Sequence, residues 1–124
     1  MFNPFALITR IYPNIDSMPA LDAAAAAERG EIVLIDVRSH DEIAATGKAR
    51  GALHIELPYI RHKANRSSPH FDAALDPAKT FALYCDNGTR SLLAARIMKK
   101  LGYENVYNMG AFREWQNGKL PVDR

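Results

Sequence analysis

One short segment of the sequence combines a nucleophile with residues suited to anion binding. It reads Cys85-Asp86-Asn87-Gly88-Thr89-Arg90. An apolar run typical of a strand precedes it, and an amphipathic stretch typical of a helix follows it. A loop between a strand and a helix directs backbone N–H groups at an anion, and the positive end of the helix dipole adds to the attraction. Because these features lower the pKa of a thiol, the segment predicts a reactive thiolate at Cys85.

Three neighbours of the cysteine modify this prediction. Gly88 permits the unusual backbone angles that such a loop demands, and Arg90 supplies a fixed positive charge with a fork of donors for an oxyanion. Asp86 acts in the opposite direction, because a carboxylate beside the thiol repels an anionic donor and raises the pKa of the thiol. A lone cysteine after a strand is otherwise often a small buried hydrophobe. The combined pattern strand–Cys–x–x–Gly–x–Arg–helix favours a functional cysteine.

Composition limits the other kinds of chemistry. The chain has 124 residues, one cysteine and a formal net charge of +2. A single cysteine forms no internal disulfide, and it cannot build a zinc site of several thiolates. No metal-ligand spacing relates the four histidines, which are His40, His54, His62 and His70. The basic residues are scattered, whereas a nucleic-acid-binding protein concentrates them in a patch. We therefore expect no metal, no cofactor and no nucleic-acid partner.

The N-terminus gives no targeting signal. Residues 1–14 are apolar in patches, but the run at 5–8 is too short for the core of a signal peptide, and no basic segment precedes it. No stretch of the chain approaches the roughly 18 apolar residues of a membrane span. We predict a cytoplasmic protein that does not bind membranes, with an N-terminal extension over residues 1–14 and one domain over residues 15–124.

Strands and helices alternate along the chain. The predicted strands are the apolar runs 32–35, 52–55, 81–84 and 105–107. The predicted helices are 19–29, with Ser17 as its cap, 39–45, 57–64, 89–101, with Leu93 on its apolar face, and 111–116. Such alternation predicts an α/β fold in which helices cover a parallel sheet. In such sheets ligands bind at the carboxyl ends of the strands, and Cys85 follows one of these ends.

Two segments of the sequence resemble the rhodanese family. LIDVRSHDEI, followed by GKARGALHIELP, resembles the N-terminal half of a rhodanese domain. YCDNGTRSLLAARIMKKLGYENVYNMGAFREW resembles the C-terminal half. The order and spacing of the segments agree with the family, and their joint occurrence in one chain makes the resemblance specific.

The resemblance implies a rhodanese-like α/β fold, with a central five-stranded parallel sheet and helices on both faces. It makes Cys85 the catalytic nucleophile. The substrate-binding loop that it implies consists of Asp86, Asn87, Gly88, Thr89 and Arg90. Asp36 and Arg38 are implied to be mainly architectural, as a hydrogen-bonding carboxylate and an ion-paired guanidinium that support the site. We also expect Glu42 to pair with a basic side chain.

The resemblance further implies a sulfurtransferase reaction in two steps. The thiolate attacks the outer sulfur of a small anionic donor such as thiosulfate, and the resulting persulfide passes its sulfur to cyanide, a thiol or a protein acceptor. One alternative is a non-enzymatic sulfur carrier or partner-binding module with little thiosulfate activity. Another is a phosphatase or arsenate reductase, although related phosphatases use a loop one residue longer. The sequence leaves open whether the chain is a monomer or a homodimer.

Overall fold

A parallel β-sheet with helices on both faces forms the centre of the molecule. The computed structural model describes residues 13–124, so nearly all of the predicted extension over 1–14 lies outside the described residues. The strands are β1 (Asp16–Ser17), β2 (Val33–Asp36), β3 (Lys48–Ala49), β4 (Leu53–His54), β5 (Phe81–Cys85), β6 (Val106–Ala111) and β7 (Val122–Asp123). The helices are α1 (Ala20–Glu28), α2 (His40–Thr46), α3 (Ile60–Lys63), α4 (Thr89–Lys100) and α5 (Phe112–Asn117), and a 3₁₀ turn over Leu57–Tyr59 precedes α3.

The main sheet confirms the predicted fold class. Its five strands are parallel and lie in the order β1-β6-β5-β2-β4. β3 and β7 form a separate antiparallel pair. The central strand β5 is buried along its whole length, which explains why its sequence FALYC is continuously apolar. Within residues 13–124, no helix is both long enough and apolar enough to cross a membrane.

The side chains of β5 alternate between two cores, one on each face of the sheet. Phe81, Leu83 and Cys85 belong to the core that also contains Met98 of α4. Ala82, Tyr84 and the aromatic side chains of α5 belong to the core on the opposite face. The sulfur therefore faces α4, the helix that follows it in sequence.

Two local predictions were wrong. Ser17 does not cap α1, because it lies in β1 and pairs with β6, and the N-cap position belongs to Pro19. Leu93 is 50% exposed and does not belong to the buried face of α4. That face consists mainly of small residues such as Ala94 and Ala95, which let the helix approach the sheet closely. The strands β1, β3 and β7, each of two residues, were not predicted.

A buried ion pair fixes the end of β2. Arg38 and Asp36 are 2% and 0% exposed, and Arg38 Nη2 donates to Asp36 Oδ2 at 2.8 Å. Arg38 also donates to Thr46 Oγ1 at 2.9 Å and to the Gly47 carbonyl oxygen at 2.8 Å, both at the end of α2. The guanidinium lies 4.3 Å from the centre of the Phe112 ring. This one side chain thus connects β2, α2 and α5.

Breaking this pair is expected to destabilise the fold strongly. Asp36→Asn leaves the charge of Arg38 buried without a counter-ion, so the free energy of unfolding should fall by about 3–5 kcal/mol. Glu31→Gln is the matched control, because it neutralises one partner of the exposed Arg29–Glu31 pair and should change stability little. Urea unfolding of both variants measures the difference. Equal losses would contradict a structural role for the buried pair.

Candidate active site

Cys85 is the last residue of β5, at the carboxyl end of the central strand. The sequence placed it just after the strand, but it still pairs with β6, opposite Ala111. Its side chain is fully buried, at 0% exposure, whereas Asp86, Asn87 and Thr89 are exposed. The sulfur therefore lies at the floor of the segment 85–90, which we call the cysteine loop.

Three hydrogen-bond donors point at the sulfur. The backbone N–H of Gly88 lies 3.0 Å from Sγ, and that of Ser91 lies 3.4 Å from it. The hydroxyl of Ser91 is also 3.4 Å from Sγ. These groups belong to the N-terminus of α4, where backbone N–H groups have no partner within the helix. The sulfur occupies the position in which a helix terminus binds an anion.

Gly88 makes this arrangement sterically feasible. Its φ of +90° lies in the left-handed region, which favours glycine, and this conformation turns its N–H toward the sulfur. A Cβ at this position would also lie 3.3 Å from Gly110 Cα, so β6 leaves little space for a side chain. The positive φ confirms the prediction that the loop requires unusual backbone angles at Gly88.

The surroundings favour the thiolate form of Cys85. Burial raises the pKa of the thiol, and hydrogen bonds from the Ser91 hydroxyl and from the backbone N–H groups of Ser91 and Gly88 lower it. The hydrogen bonds prevail, and the pKa of Cys85 is lowered below its ordinary value. A lowered pKa increases the fraction of the nucleophilic form near neutral pH.

Asn108 of β6 holds two of these donors in place. Its Nδ2 donates to the Gly88 carbonyl oxygen at 3.2 Å, and its Oδ1 accepts from the Ser91 hydroxyl at 2.7 Å. The same Oδ1 accepts from the Gly110 N–H at 3.0 Å, next to a bulge where the pairing register of β5 and β6 shifts. Because a serine hydroxyl has one proton, Ser91 divides it between Asn108 and the sulfur.

Sequence reasoning missed Ser91 and Asn108. Ser91 stands one residue beyond the motif that ends at Arg90, and its position after a helix start was the available signal. Asn108 lies 17 residues further along the chain from Ser91 and gave no signal of its own. Only the pairing of β6 with β5 brings it to the loop.

Arg90 is bound to Glu42, as was expected of that glutamate. Arg90 Nη1 lies 2.6 Å from Glu42 Oε1, and Nη2 lies 2.8 Å from Oε2, so both ends of the guanidinium fork donate to one carboxylate. Ser39 N also donates to Glu42 Oε1, at 3.1 Å, within a capping box at the start of α2. Two of the five N–H donors that the sequence assigned to an oxyanion therefore bind Glu42, and the charge of Arg90 is paired.

The remaining predicted residues lie in two places. Asp86 and Asn87 form the exposed turn of the cysteine loop, and Thr89 begins α4, where its N–H donates to Asn87 Oδ1 at 3.0 Å. Asp36 and Arg38 bind each other beside Tyr84 and Phe112, which belong to the core on the face of the sheet opposite the sulfur. The structure thus brings the cysteine loop together and separates it from the Asp36–Arg38 pair.

Two further features lie away from the sulfur. A cavity of about 560 Å³ opens between α1, the start of β2 and the segment before β7, and its lining includes Leu21, Ile32 and Trp115. None of its lining residues belongs to the cysteine loop. Among the described residues, no group of three or more His, Cys, Asp and Glu side chains is arranged to hold a metal ion.

Comparison with known proteins identifies the family. The family model described as "Rhodanese-like domain" matches residues 20–118, a range that includes the whole cysteine loop. Thiosulfate:glutathione sulfurtransferase from Homo sapiens is 33% identical over 106 residues, which cover 80% of this chain and 90% of that protein. A tRNA sulfurtransferase from Vibrio cholerae is 29% identical over 93 residues, which cover 75% of this chain and 18% of that larger protein.

A solved structure extends the likeness to nearly the whole chain. It is that of a Rhodopseudomonas palustris protein of unknown function, described as a possible tyrosine phosphatase. The two chains superpose with a TM-score of 0.82 at 25% sequence identity, covering 99% of this chain and 96% of that one. This chain therefore shares its fold with that protein along nearly its whole length.

Removing the Ser91 hydroxyl is expected to make the thiol less acidic. Ser91→Ala deletes one donor to the sulfur, so the pKa of Cys85 should rise. The alkylation rate at pH 7 should fall about two- to tenfold, since one hydrogen bond contributes about 0.5–1.5 kcal/mol. The rate of reaction with iodoacetamide as a function of pH measures this change. Ser68→Ala, in the loop before β5, is the matched control, and an equal effect there would refute the assignment.

The Glu42–Arg90 pair predicts a pH-dependent contribution to stability. The hydrogen bond from Arg90 lowers the pKa of Glu42 to about 2, with a smaller contribution from Ser39, and partial burial opposes this effect. Because the pKa is depressed in the folded state, the stabilisation is present above the ordinary value of 4.5 and is lost as the pH falls toward 2. Glu42→Gln should lower Tm by about 2–5 °C at pH 7.

The difference in Tm between the wild type and Glu42→Gln should shrink as the pH falls below 4.5, because Glu42 is protonated first in the unfolded state and then, near pH 2, in the folded state. Thermal unfolding followed by circular dichroism at several pH values tests this. Glu104→Gln is the matched control, since Glu104 is exposed in the loop before β6, at the opposite end of the sheet. A difference that stays constant down to pH 2 would contradict the ion pair.

Proposed function

The chain belongs to the rhodanese-like family, and we propose that it is a sulfurtransferase that carries sulfur as a persulfide on Cys85. Its donor is a compound with a sulfane sulfur, such as thiosulfate, and its acceptor is a thiophile such as cyanide, a small thiol or a protein thiol. The observation that carries this proposal is the set of N–H and O–H groups from Gly88 and Ser91 that point at one sulfur atom.

The reaction is a covalent transfer in two steps. In the first step the Cys85 thiolate attacks the outer sulfur of thiosulfate, a new S–S bond forms, and sulfite leaves with the electron pair of the broken S–S bond. In the second step the acceptor attacks the outer sulfur of the persulfide, and Cys85 leaves as a thiolate. With cyanide the product is thiocyanate. With cyanide as the acceptor, no proton needs to move in either step when Cys85 is already ionised, whereas a thiol acceptor must first lose its proton.

The donors around the sulfur serve both steps. The N–H groups of Gly88 and Ser91 stabilise the attacking thiolate, and they stabilise the same thiolate again when it leaves the persulfide. Asn108 acts as a positioning residue, because it holds the Gly88 carbonyl and the Ser91 hydroxyl rather than the reacting sulfur.

The depth of the sulfur supports a persulfide mechanism. Sγ is buried, and the outer sulfur of a persulfide lies about 2 Å from it, at the length of an S–S bond. We expect this bond to point out of the cysteine loop, so that the transferred sulfur lies nearer to the solvent than Sγ. An acceptor can attack the outer sulfur without reaching the floor of the loop.

The burial of Cys85 also favours a second candidate function. A fully buried thiol beside the exposed carboxylate of Asp86 is poorly placed to receive a small dianion from solution. A sulfur carrier that is loaded by another protein, with little thiosulfate activity, is consistent with this arrangement. The two functions differ in whether thiosulfate alone loads the cysteine.

A phosphatase is the weaker reading of the same loop. Phosphoryl transfer needs cations or N–H donors around three phosphate oxygens. Glu42 occupies the fork between the two terminal nitrogens of Arg90 and offsets its charge, which weakens the attraction of Arg90 for a phosphate. The six-residue loop also resembles that of the sulfurtransferases, rather than the longer loop of the related phosphatases. We expect no turnover of para-nitrophenyl phosphate.

The intact mass of the protein after incubation with thiosulfate tests the proposal. We expect a gain of about one sulfur atom that is removed by a reductant and by cyanide, with release of thiocyanate. Because Cys85 is the single cysteine of the chain, the Cys85→Ser variant should show no gain. A wild-type protein that stays unmodified while Cys85 remains open to alkylation would exclude thiosulfate as the donor and favour the carrier function.

A further inference from the structure

The cysteine loop has one cationic side chain, and that side chain is already neutralised. Arg90 donates from both terminal nitrogens to Glu42, at 2.6 and 2.8 Å. Glu42 is held in turn by the backbone N–H and the hydroxyl of Ser39, at 3.1 and 3.2 Å. Because Glu42 offsets the positive charge of Arg90, the guanidinium attracts an anionic donor only weakly.

Three negative groups act electrostatically on the same guanidinium. The pKa of Arg90 is raised, first by hydrogen bonding to Glu42 and then by the negative charges of Glu42, Cys85 and Asp86, while partial burial opposes the rise. Asp86 directly follows the nucleophile and is exposed. Once Cys85 is ionised, the immediate surroundings of the sulfur therefore carry an excess of negative charge.

The donors to the sulfur match a single charge. The N–H groups of Gly88 and Ser91 and the positive end of α4 stabilise the thiolate itself. A donor that brings two further negative charges meets repulsion from both the thiolate and Asp86. The repulsion is proportional to the charge of the donor, so it is weaker for a singly charged donor and absent for a neutral one.

We propose that the charge of the cysteine loop selects the sulfur donor, so that singly charged or neutral sulfane-sulfur compounds, such as thiosulfonates and organic persulfides, load Cys85 in preference to the thiosulfate dianion. This inference rests on the proposed function, because it concerns the first step of the same transfer. Asp86 is the specificity-determining residue, since its carboxylate is the exposed charge next to the nucleophile.

The loading step balances for each class of donor. With a thiosulfonate, the Cys85 thiolate forms a bond to the outer sulfur, the bond from that sulfur to the sulfonyl sulfur breaks, and a sulfinate leaves with the electron pair. With a protonated organic persulfide, the leaving group is the organic thiolate, and Cys85 retains the S–SH group. Neither step needs an oxidant or a reductant.

Methanethiosulfonate and thiosulfate form a matched pair of probes. They differ by a methyl group in place of one anionic oxygen, so methanethiosulfonate has a similar shape and one negative charge fewer. The rate of persulfide formation is measured by quenched intact-mass analysis in the wild type and in Asp86→Asn. Asp22→Asn, in the exposed first turn of α1, is the matched control. Each rate is divided by the rate at which the same donor transfers sulfur to N-acetylcysteine amide, a free cysteine analogue. This division corrects for the intrinsic reactivity of each donor.

After this correction we expect the wild type to react faster with methanethiosulfonate. Asp86→Asn should accelerate persulfide formation about four- to ninefold with thiosulfate and about two- to threefold with methanethiosulfonate, because the repulsion energy is proportional to the charge of the donor. At roughly 1 M salt, where the Debye length is about 3 Å, both effects should largely disappear. Asp22→Asn should leave both rates unchanged.

Two outcomes overturn the inference, and they are distinguishable. If both donors load Cys85 but Asp86→Asn changes the two rates by the same factor, or thiosulfate is the faster donor after correction, then charge does not select the donor and the sulfurtransferase function stands. If neither donor adds sulfur to a Cys85 that is still open to alkylation, then the proposed function fails and the inference fails with it.

Discussion

The backbone N–H of Gly88 points at the sulfur of Cys85 from 3.0 Å, and much of this end of the molecule depends on that hydrogen bond. It requires a left-handed backbone at Gly88, and β6 must approach so closely that a side chain there would lie against Gly110. Asn108 holds the Gly88 carbonyl from the same strand. The bulge in β6, the start of α4 and the end of β5 are therefore linked through one anion-binding turn.

This turn stabilises a bound negative charge without attracting anions from solution, whereas a cationic site would do both. Neutral N–H dipoles and a helix terminus stabilise a negative charge at a fixed point, because they are aimed at the sulfur. A free guanidinium would also attract anions from solution, but Glu42 neutralises the one in this loop. The site can thus hold a thiolate without attracting a multiply charged anion, and the exposed Asp86 strengthens that distinction.

The end of the central strand serves a different purpose on each face of the sheet. Cys85 faces α4, where its sulfur meets the donors of the turn. The preceding residue, Tyr84, faces the other way, and its hydroxyl accepts from the Ala49 N–H at 2.9 Å while its ring lies beside Arg38. Since neighbouring residues of a strand point in opposite directions, chemistry and structural support share one strand end without sharing space.

Much of this molecule is determined by its sequence alone. The alternation of apolar runs with amphipathic stretches determined the α/β fold, and the strand–Cys–x–x–Gly–x–Arg–helix pattern identified Cys85 and the need for glycine at position 88. Such features are local, because a strand, a helix terminus and a positive φ depend on residues that are close together in the chain. The local pattern also indicated that Glu42 would bind a cation, but not which one.

The tertiary structure decided which distant residues meet at the loop. The parallel pairing of β6 with β5 places Asn108 behind Gly88, and the packing of α2 places Glu42 on Arg90, 48 residues away. The pairing of β2 with β5 sets Asp36 opposite Tyr84, so that Asp36 and Arg38 bind each other on the face opposite the sulfur, although the sequence had only placed them at a strand end. Contacts between segments far apart in the chain depend on strand order and on which face each side chain takes, and no local pattern encodes either of these.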